Sequence, residues 1–357
     1  MRFTVKLAWG VMLALGILEA CFRVLPVNSG LRMVSTSAAE PYSRYLPRQP
    51  FVYSHGWALM NARQGVTNNL GFINAADFIQ TPSQVLVIGD SFIESFMHNY
   101  AETVQGRLAS ALGMGVETVA TSGNSLADSL QLLKTFAPLM RPSAVVIFVK
   151  TSDPSDLSEI TAAPLQGHNG FAQEGQNVVL HHALYQESSL KQWVMKSALI
   201  RYVYYNLKFP EWLARALQFG KPMGRENDTS TVIDRAAQKQ RFMRYYLAEL
   251  NMLKQAYGLH ITFLLDADRN ALYPSVKNKT QALNLQDQAD FSRFAVDSGF
   301  ELLDMQPIFE RHWSAHREQF DYLPADGHWN TVAHKLAADA LLPRLKPIVN
   351  GGMAISQ

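Results

Sequence analysis

Short runs of apolar residues alternate along the chain with segments in which apolar residues recur every three or four positions. A run of four to six mostly apolar residues is typical of a parallel strand that is covered on both faces. Five segments are predicted as strands on this basis: 85–88, 116–120, 144–149, 260–265 and 300–303.

The segments between these strands have the periodicity of helices. Val104, Leu108 and Leu112 share one helical face, and Gly113 is a typical residue at a helix end. Ser125 is a suitable N-cap for the helix that follows 116–120. Further helices are predicted at 235–257 and 286–297. Strands that alternate with helices predict an α/β fold, a three-layer α/β/α sandwich around a five-stranded parallel sheet.

The remaining segments divide the chain into parts. Residues 31–80 have weak periodicity and several prolines, which indicates a segment that wraps around the domain in short turns. The main domain is predicted at 81–347 and the tail at 348–357. Residues 154–234 interrupt the strand and helix alternation and are interpreted as a largely helical insertion.

The first part, residues 1–30, has a basic start and an apolar run from Leu7 to Phe22 that only Glu19 interrupts. This pattern indicates a single-pass signal-anchor in the inner membrane, with the rest of the chain in the periplasm or outside the cell. A cleaved signal peptide and a lipoprotein modified at Cys21 are the alternatives. A buried N-terminal helix of a cytosolic protein is a fourth interpretation.

Charge and cysteine content exclude several classes of protein. The chain has 32 basic and 30 acidic residues and a net charge of +2, so the strong basic excess of a nucleic-acid-binding protein is missing. A single cysteine excludes an internal disulfide framework and a cysteine-rich metal site. No cofactor and no metal ion are predicted.

Residues with reactive side chains follow the predicted strands. In a parallel sheet, functional groups gather at the carboxyl ends of the strands. Ser91 comes directly after the strand 85–88, where the turn exposes its hydroxyl and backbone N–H groups can bind an oxyanion. Ser91 is therefore a candidate nucleophile, and the alternative is that it only caps the next helix.

A candidate base lies near the end of the chain. Asp326 and His328 are two residues apart, and we expect them to share one loop in front of a helix capped by Asn330. A histidine can take the proton of a serine when a carboxylate orients its ring. The alternative is an ordinary turn with a solvated histidine.

Together these motifs resemble the SGNH (GDSL-type) hydrolase family. Gly89-Asp90-Ser91-Phe92 is similar to the first block of that family, Ser122-Gly123-Asn124-Ser125 to the second and Asp326-Gly327-His328 to the last. Asn69-Leu70-Gly71-Phe72 is similar to a motif of membrane-anchored bacterial members. The resemblance implies a flavodoxin-like sheet and an oxyanion hole that contains the backbone N–H groups of Ser91 and Gly123.

The third block departs from the family pattern. An Asn-Asp pair is usual there, and the Asn completes the oxyanion hole, but this chain has Thr151-Ser152-Asp153. Ser152 is the candidate replacement, although its side chain is shorter than that of Asn.

The resemblance implies an exported serine esterase or O-acyltransferase that uses an acyl-enzyme on acyl groups of cell-surface or secreted polysaccharide. The alternatives are a lipid or thioester hydrolase and a catalytically silent glycan-binding or assembly module. Aromatic and basic residues of the insertion, such as Trp193, Tyr202 and Lys191, suit a lid, a membrane-surface helix or a sugar platform. They equally suit simple packing against the sheet.

Overall fold

The fold is that of a computed structural model, which describes residues 2–79, 85–157, 164–210, 212–213, 229–273, 279–323 and 326–355. The part of the predicted insertion at 158–163, 211 and 214–228 lies outside these residues. The strands in chain order are β1 (Pro50–His55), β2 (Met60–Val66), β3 (Val85–Gly89), β4 (Val116–Ala120), β5 (Ala144–Val149), β6 (Asn169–Glu174), β7 (Asn177–His182), β8 (His260–Leu265), β9 (Glu301–Asp304), β10 (Asp321–Leu323) and β11 (Asp326–Trp329).

The helices were numbered in the same way. They are α1 (Arg2–Val24), α2 (Ser91–Glu94), α3 (Val104–Leu112), α4 (Leu126–Met140), α5 (Asp153–Asp156), α6 (Ser189–Val194), α7 (Ala198–Arg201), α8 (Thr229–Tyr257), α9 (Arg269–Leu272), α10 (Lys279–Asp297), α11 (Gln306–His316) and α12 (Thr331–Ile355). A 3-10 turn at Tyr100–Glu102 and a π turn at Tyr202–Asn206 complete the described elements.

The five predicted strands form one parallel sheet in the order β4-β3-β5-β8-β9. All residues of β3 and β5 are buried, as their uninterrupted apolar sequences predict. Side chains of α4, α8 and α10 pack on one face of the sheet. Side chains of α3, α11 and α12 pack on the other face. The predicted three-layer α/β/α sandwich is therefore confirmed.

Local signals at the helix ends are also confirmed. The Ser125 hydroxyl accepts a hydrogen bond from the N–H of Asp128 at the start of α4, and the Asn330 side chain accepts two at the start of α12. Gly113 ends α3 with a φ of 66°. The final helix reaches Ile355, so it continues into the segment predicted as a tail.

Three segments differ from their predicted form. The insertion begins with the antiparallel hairpin of β6 and β7, so it is not simply helical. Residues 31–80 contain a second hairpin, β1 with β2. Asp326 and His328 lie on the short strand β11, which pairs with β10, rather than in a loop. The sequences of these strands are short or polar, and they lack the apolar runs that identify the central sheet.

Candidate active site

The turn between β3 and α2 carries the candidate nucleophile. Asp90, not Ser91, caps α2, because its carboxylate accepts a hydrogen bond of 2.9 Å from the N–H of Phe92. The interpretation of Ser91 as the cap is therefore wrong. Ser91 occupies the first turn of α2, and its side chain is free to point away from the helix axis towards β11.

Ser91, His328 and Asp326 form one chain of hydrogen bonds. The distance from Ser91 Oγ to His328 Nε2 is 2.7 Å, and the distance from His328 Nδ1 to Asp326 Oδ1 is 2.5 Å. The N–H of His328 also donates to Asp326 Oδ1 over 3.2 Å. The structure thus brings together three residues that are up to 237 positions apart in the sequence.

The ionisation of Asp326 defines the direction of these hydrogen bonds. Burial alone would raise the pKa of Asp326, but the hydrogen bond and the charge of His328 outweigh burial and hold this pKa at about 2. An ionised carboxylate accepts hydrogen bonds only, so Nδ1 of His328 carries a proton and donates it. In the neutral ring, Nε2 then accepts the hydrogen bond of the Ser91 hydroxyl.

The position of His328 depends on its neighbours in β11 and β10. The ring of Phe92 lies 4.9 Å from the imidazole, between centroids. The next residue, Trp329, is fully buried, and its indole N–H donates to Asp266 over 2.7 Å. Arg269 links Asp266 to Asp321 of β10 through ion pairs of 3.3 and 2.6 Å. This network fixes the short hairpin against the carboxyl end of the sheet.

Gly123 lies in the turn after β4, next to the candidate nucleophile. Its φ of 88° is accessible mainly to glycine, which explains the residue type. The side chain of Asn124 accepts from Thr121 and donates to the carbonyl oxygen of Gly89, over 2.8 and 3.0 Å. Within the described part of the chain, the N–H groups of Ser91 and Gly123 have no hydrogen-bond acceptor. Both are therefore available to bind an oxyanion.

A buried carboxyl group forms a second link between the two turns. Glu94 follows Ser91 by three residues, and the Ser122 hydroxyl donates to its Oε2 over 2.6 Å. Burial raises the pKa of Glu94 to about 7, although hydrogen bonds from Ser122 and Tyr45 oppose this. The helical spacing of Ser91 and Glu94 is a signal that sequence analysis could have used.

The Ser152 side chain faces a different partner. Its hydroxyl donates to Asp156 Oδ2 over 3.2 Å, and its carbonyl oxygen accepts from the N–H groups of Ser155 and Asp156. The same loop brings the Lys150 ammonium within 3.2 Å of Asp153 and 3.7 Å of Asp90. A cation therefore lies beside the cap of α2, which the sequence did not predict.

A second histidine–carboxylate pair lies behind Gly123. His168 Nδ1 is 3.2 Å from Asp128 Oδ2, and His168 Nε2 is 3.2 Å from the point where a Cβ on Gly123 would lie. The hairpin that begins at Asn169 thus contacts the candidate oxyanion turn. His168 and Asp128 are 40 residues apart, and no local pattern connects them. Sequence analysis missed this pair for that reason.

Comparisons with known proteins add only distant likenesses. No family model and no curated protein matches the chain. Similar solved structures include an SGNH hydrolase from Slackia heliotrinireducens, 15% identical, with a TM-score of 0.39 over 74% of this chain and 98% of the other. An acetyl xylan esterase, AlAXEase, is 12% identical, with a TM-score of 0.40 over 73% of this chain and 98% of its own. TesA is 15% identical, with a TM-score of 0.39 over 74% and 98% of the two chains. Likenesses at this level do not define an activity, so function is inferred from the geometry of the site.

Proposed function

We propose that the protein is a serine esterase or O-acyltransferase that works through an acyl-enzyme. The observation that carries this proposal is the continuous hydrogen-bond chain from Ser91 through His328 to Asp326. A serine hydroxyl bonded to a histidine, which is in turn oriented by a carboxylate, is the arrangement that activates a serine as a nucleophile.

In the proposed reaction, Ser91 Oγ bonds to the carbonyl carbon of an ester while its proton moves to His328 Nε2. The carbonyl oxygen becomes an oxyanion, to which the N–H groups of Ser91 and Gly123 donate. The tetrahedral intermediate expels the alcohol, which takes the proton from His328. Water, or a hydroxyl group of an acceptor, then loses a proton to His328 and attacks the acyl-enzyme. Asp326 stays ionised and stabilises the imidazolium.

Ser91→Ala tests this proposal. We expect the variant to lose turnover of p-nitrophenyl acetate and covalent labelling by a fluorophosphonate, because both need the Ser91 oxygen. Ser37→Ala, which changes an exposed serine of the wrapping segment, is the matched control. Undiminished activity in Ser91→Ala would refute the mechanism. Failure of the unmodified chain to react with either reagent would favour the catalytically silent module.

Ser152 is proposed as a third oxyanion donor once its hydroxyl leaves Asp156, a partner to which it is bonded over 3.2 Å on the protein surface. Removing a donor that acts mainly in the transition state lowers kcat and leaves KM nearly unchanged. For Ser152→Ala we expect a loss of roughly tenfold in kcat, and for Ser152→Asn no loss. A normal kcat in Ser152→Ala would leave the oxyanion to the backbone donors.

The proposed substrates are acyl groups on cell-surface or secreted polysaccharide. The resemblance of the three sequence motifs to SGNH hydrolases supports this choice, and the same chemistry suits a lipid or thioester hydrolase. Acetyl and octanoyl esters of one alcohol distinguish them. Faster turnover of the octanoyl ester would contradict a carbohydrate O-acetyl substrate.

We also propose that α1 is retained as a membrane anchor. One described helix, at Phe3–Val24, is long and apolar enough to cross a membrane, and its apolar window is not buried in the protein. The carboxylate of Glu19 near its end accepts hydrogen bonds from residues 197–199. Cleavage just before Cys21 would remove these contacts. An intact N-terminus in the mass of the mature protein is the expected result.

A further inference from the structure

The second half of the insertion, residues 188–213, packs against the end of α1 and is called here the α1-proximal segment. The Ser197 hydroxyl and the N–H groups of Ala198 and Leu199 donate to the Glu19 carboxylate over 2.7, 3.1 and 2.9 Å. The ring of Phe22 stacks on that of Tyr202, with centroids 4.2 Å apart. The segment is thus attached to two successive turns of α1.

The position of these contacts along α1 gives the depth of the segment. Glu19 lies five residues before Val24, the last residue of α1. With a rise of about 1.5 Å per residue, α7 lies about 7 Å from the helix end, in the direction of the apolar part of α1. If α1 is the anchor proposed above, this depth corresponds to the lipid headgroup layer.

Large aromatic side chains are exposed around this contact. Trp57, Trp193 and Trp212 are 78%, 69% and 61% exposed. Trp57 is linked to the segment because the Tyr202 hydroxyl donates to its carbonyl oxygen over 2.8 Å. Leu190 in α6 is also 69% exposed. Indole rings with nearby aliphatic side chains are characteristic of surfaces at the boundary between lipid and water.

Basic side chains accompany these aromatic residues. Arg32, Lys191, Lys196 and Arg201 line a cavity of about 330 Å³ between the wrapping segment and the α1-proximal segment. Glu187 is the one carboxylate among the described residues that line it, and it is paired with Arg32 over 2.7 Å. Three cations therefore remain for an external anion. Phosphate groups of anionic lipids would meet this requirement at the same depth as the tryptophans.

We infer that the α1-proximal segment, together with Trp57, is a surface that lies in the headgroup layer of an anionic bilayer. The tryptophans and Leu190 enter the boundary region, and Lys191, Lys196 and Arg201 bind lipid phosphates. The inference rests on the proposed anchor and extends it, because it places the catalytic domain in a fixed orientation against the membrane.

The full-length chain in vesicles tests this surface. Cys21→Ser removes the single native cysteine, and Leu190→Cys then takes a polarity-sensitive nitrobenzoxadiazole label. Val296→Cys is the matched control, because Val296 is an aliphatic residue on α10 and is 58% exposed. In vesicles of phosphatidylcholine and phosphatidylglycerol that contain doxyl lipids, we expect quenching at position 190 to exceed that at 296 roughly twofold or more.

A charge-reversed chain tests the phosphate contacts. Lys191→Glu with Lys196→Glu is expected to lower the quenching at position 190 in vesicles with phosphatidylglycerol to the level seen in phosphatidylcholine alone. Equal quenching at 190 and 296 in chains that float with the vesicles would overturn the surface and leave the anchor intact. Quenching that does not depend on phosphatidylglycerol would overturn the anionic contact. Chains that fail to float would overturn the anchor, and none of these results depends on labelling of Ser91.

Discussion

Two histidine–carboxylate pairs lie on either side of the candidate oxyanion turn, and they differ in what surrounds them. The His328 and Asp326 side chains are 29% and 14% exposed, whereas those of His168 and Asp128 are 11% and 2% exposed. Nε2 of His328 meets a hydroxyl group, and Nε2 of His168 meets the backbone at Gly123. The same pair of residue types thus faces a proton donor in one case and a structural element in the other.

The carboxylates show the same contrast. In the described contacts, Asp326 receives hydrogen bonds from His328 alone. Asp128 receives them from Ser125 and Asn169 in addition to His168. A carboxylate with one partner can respond to the charge of that partner, whereas a carboxylate shared by several donors holds them in place. We therefore assign orientation of the base to Asp326 and support of the Gly123 turn to Asp128.

The largest effect is expected from Asp326→Asn. An amide at this position cannot accept from Nδ1–H through both of its groups, and it favours the wrong tautomer of His328. We expect kcat for p-nitrophenyl acetate to fall about 10³- to 10⁴-fold with a small change in KM. Asp321→Asn, which alters a carboxylate of the partner strand β10, is the control. A loss below tenfold in Asp326→Asn would place the orienting group elsewhere.

A smaller effect is expected from His168→Ala. His168 packs behind the Gly123 turn and does not contact Ser91 among the described interactions, so its removal should misplace one oxyanion donor without removing the base. We expect kcat to fall roughly three- to thirtyfold while fluorophosphonate labelling of Ser91 persists. His182→Ala, which changes a histidine of β7 in the same hairpin, separates this effect from general loosening. A loss equal to that of Asp326→Asn would make His168 a catalytic residue.

The third prediction concerns stability, because Glu94 connects the two turns between the pairs. Its pKa is about 7 in the folded protein against an ordinary value of 4.5, so the folded state holds a proton that the unfolded state releases between these pH values. The free energy of unfolding should therefore fall as pH rises from about 4.5 to about 7, by up to about 3 kcal/mol, and then level off with respect to this group. Below pH 4.5 the group makes no difference.

Urea unfolding of Glu94→Gln at several pH values measures this contribution. The amide is neutral throughout, so the variant should lose the part of the pH dependence that lies between about 4.5 and 7. Glu40→Gln, at an exposed carboxylate, should keep it. Identical pH dependence in Glu94→Gln and the unmodified chain would show that Glu94 is ionised in the fold at neutral pH.

The sequence predicted the parts of the site that depend on local patterns. The central strands have continuous apolar runs, and the position of Ser91 and Gly123 at their carboxyl ends follows from parallel pairing. The pairing of Asp326 with His328 follows from their spacing. The two small hairpins and His168 were not predicted, because their strands are short or polar and their contacts join distant segments. The cap of α2 was assigned to Ser91 although Asp90 precedes it and is equally suited to the role.

The shared carboxylate of Asp128 has a consequence for how this domain can be reduced or can have arisen. Three of its five hydrogen-bond donors belong to His168 and Asn169, at the start of the β6–β7 hairpin. Deleting the hairpin would leave Asp128, which is 1% exposed, buried with only the two donors of Ser125. The hairpin is therefore an integral component and not a module added to a complete smaller hydrolase. A shortened ancestor or engineered minimal form would need a different residue at position 128.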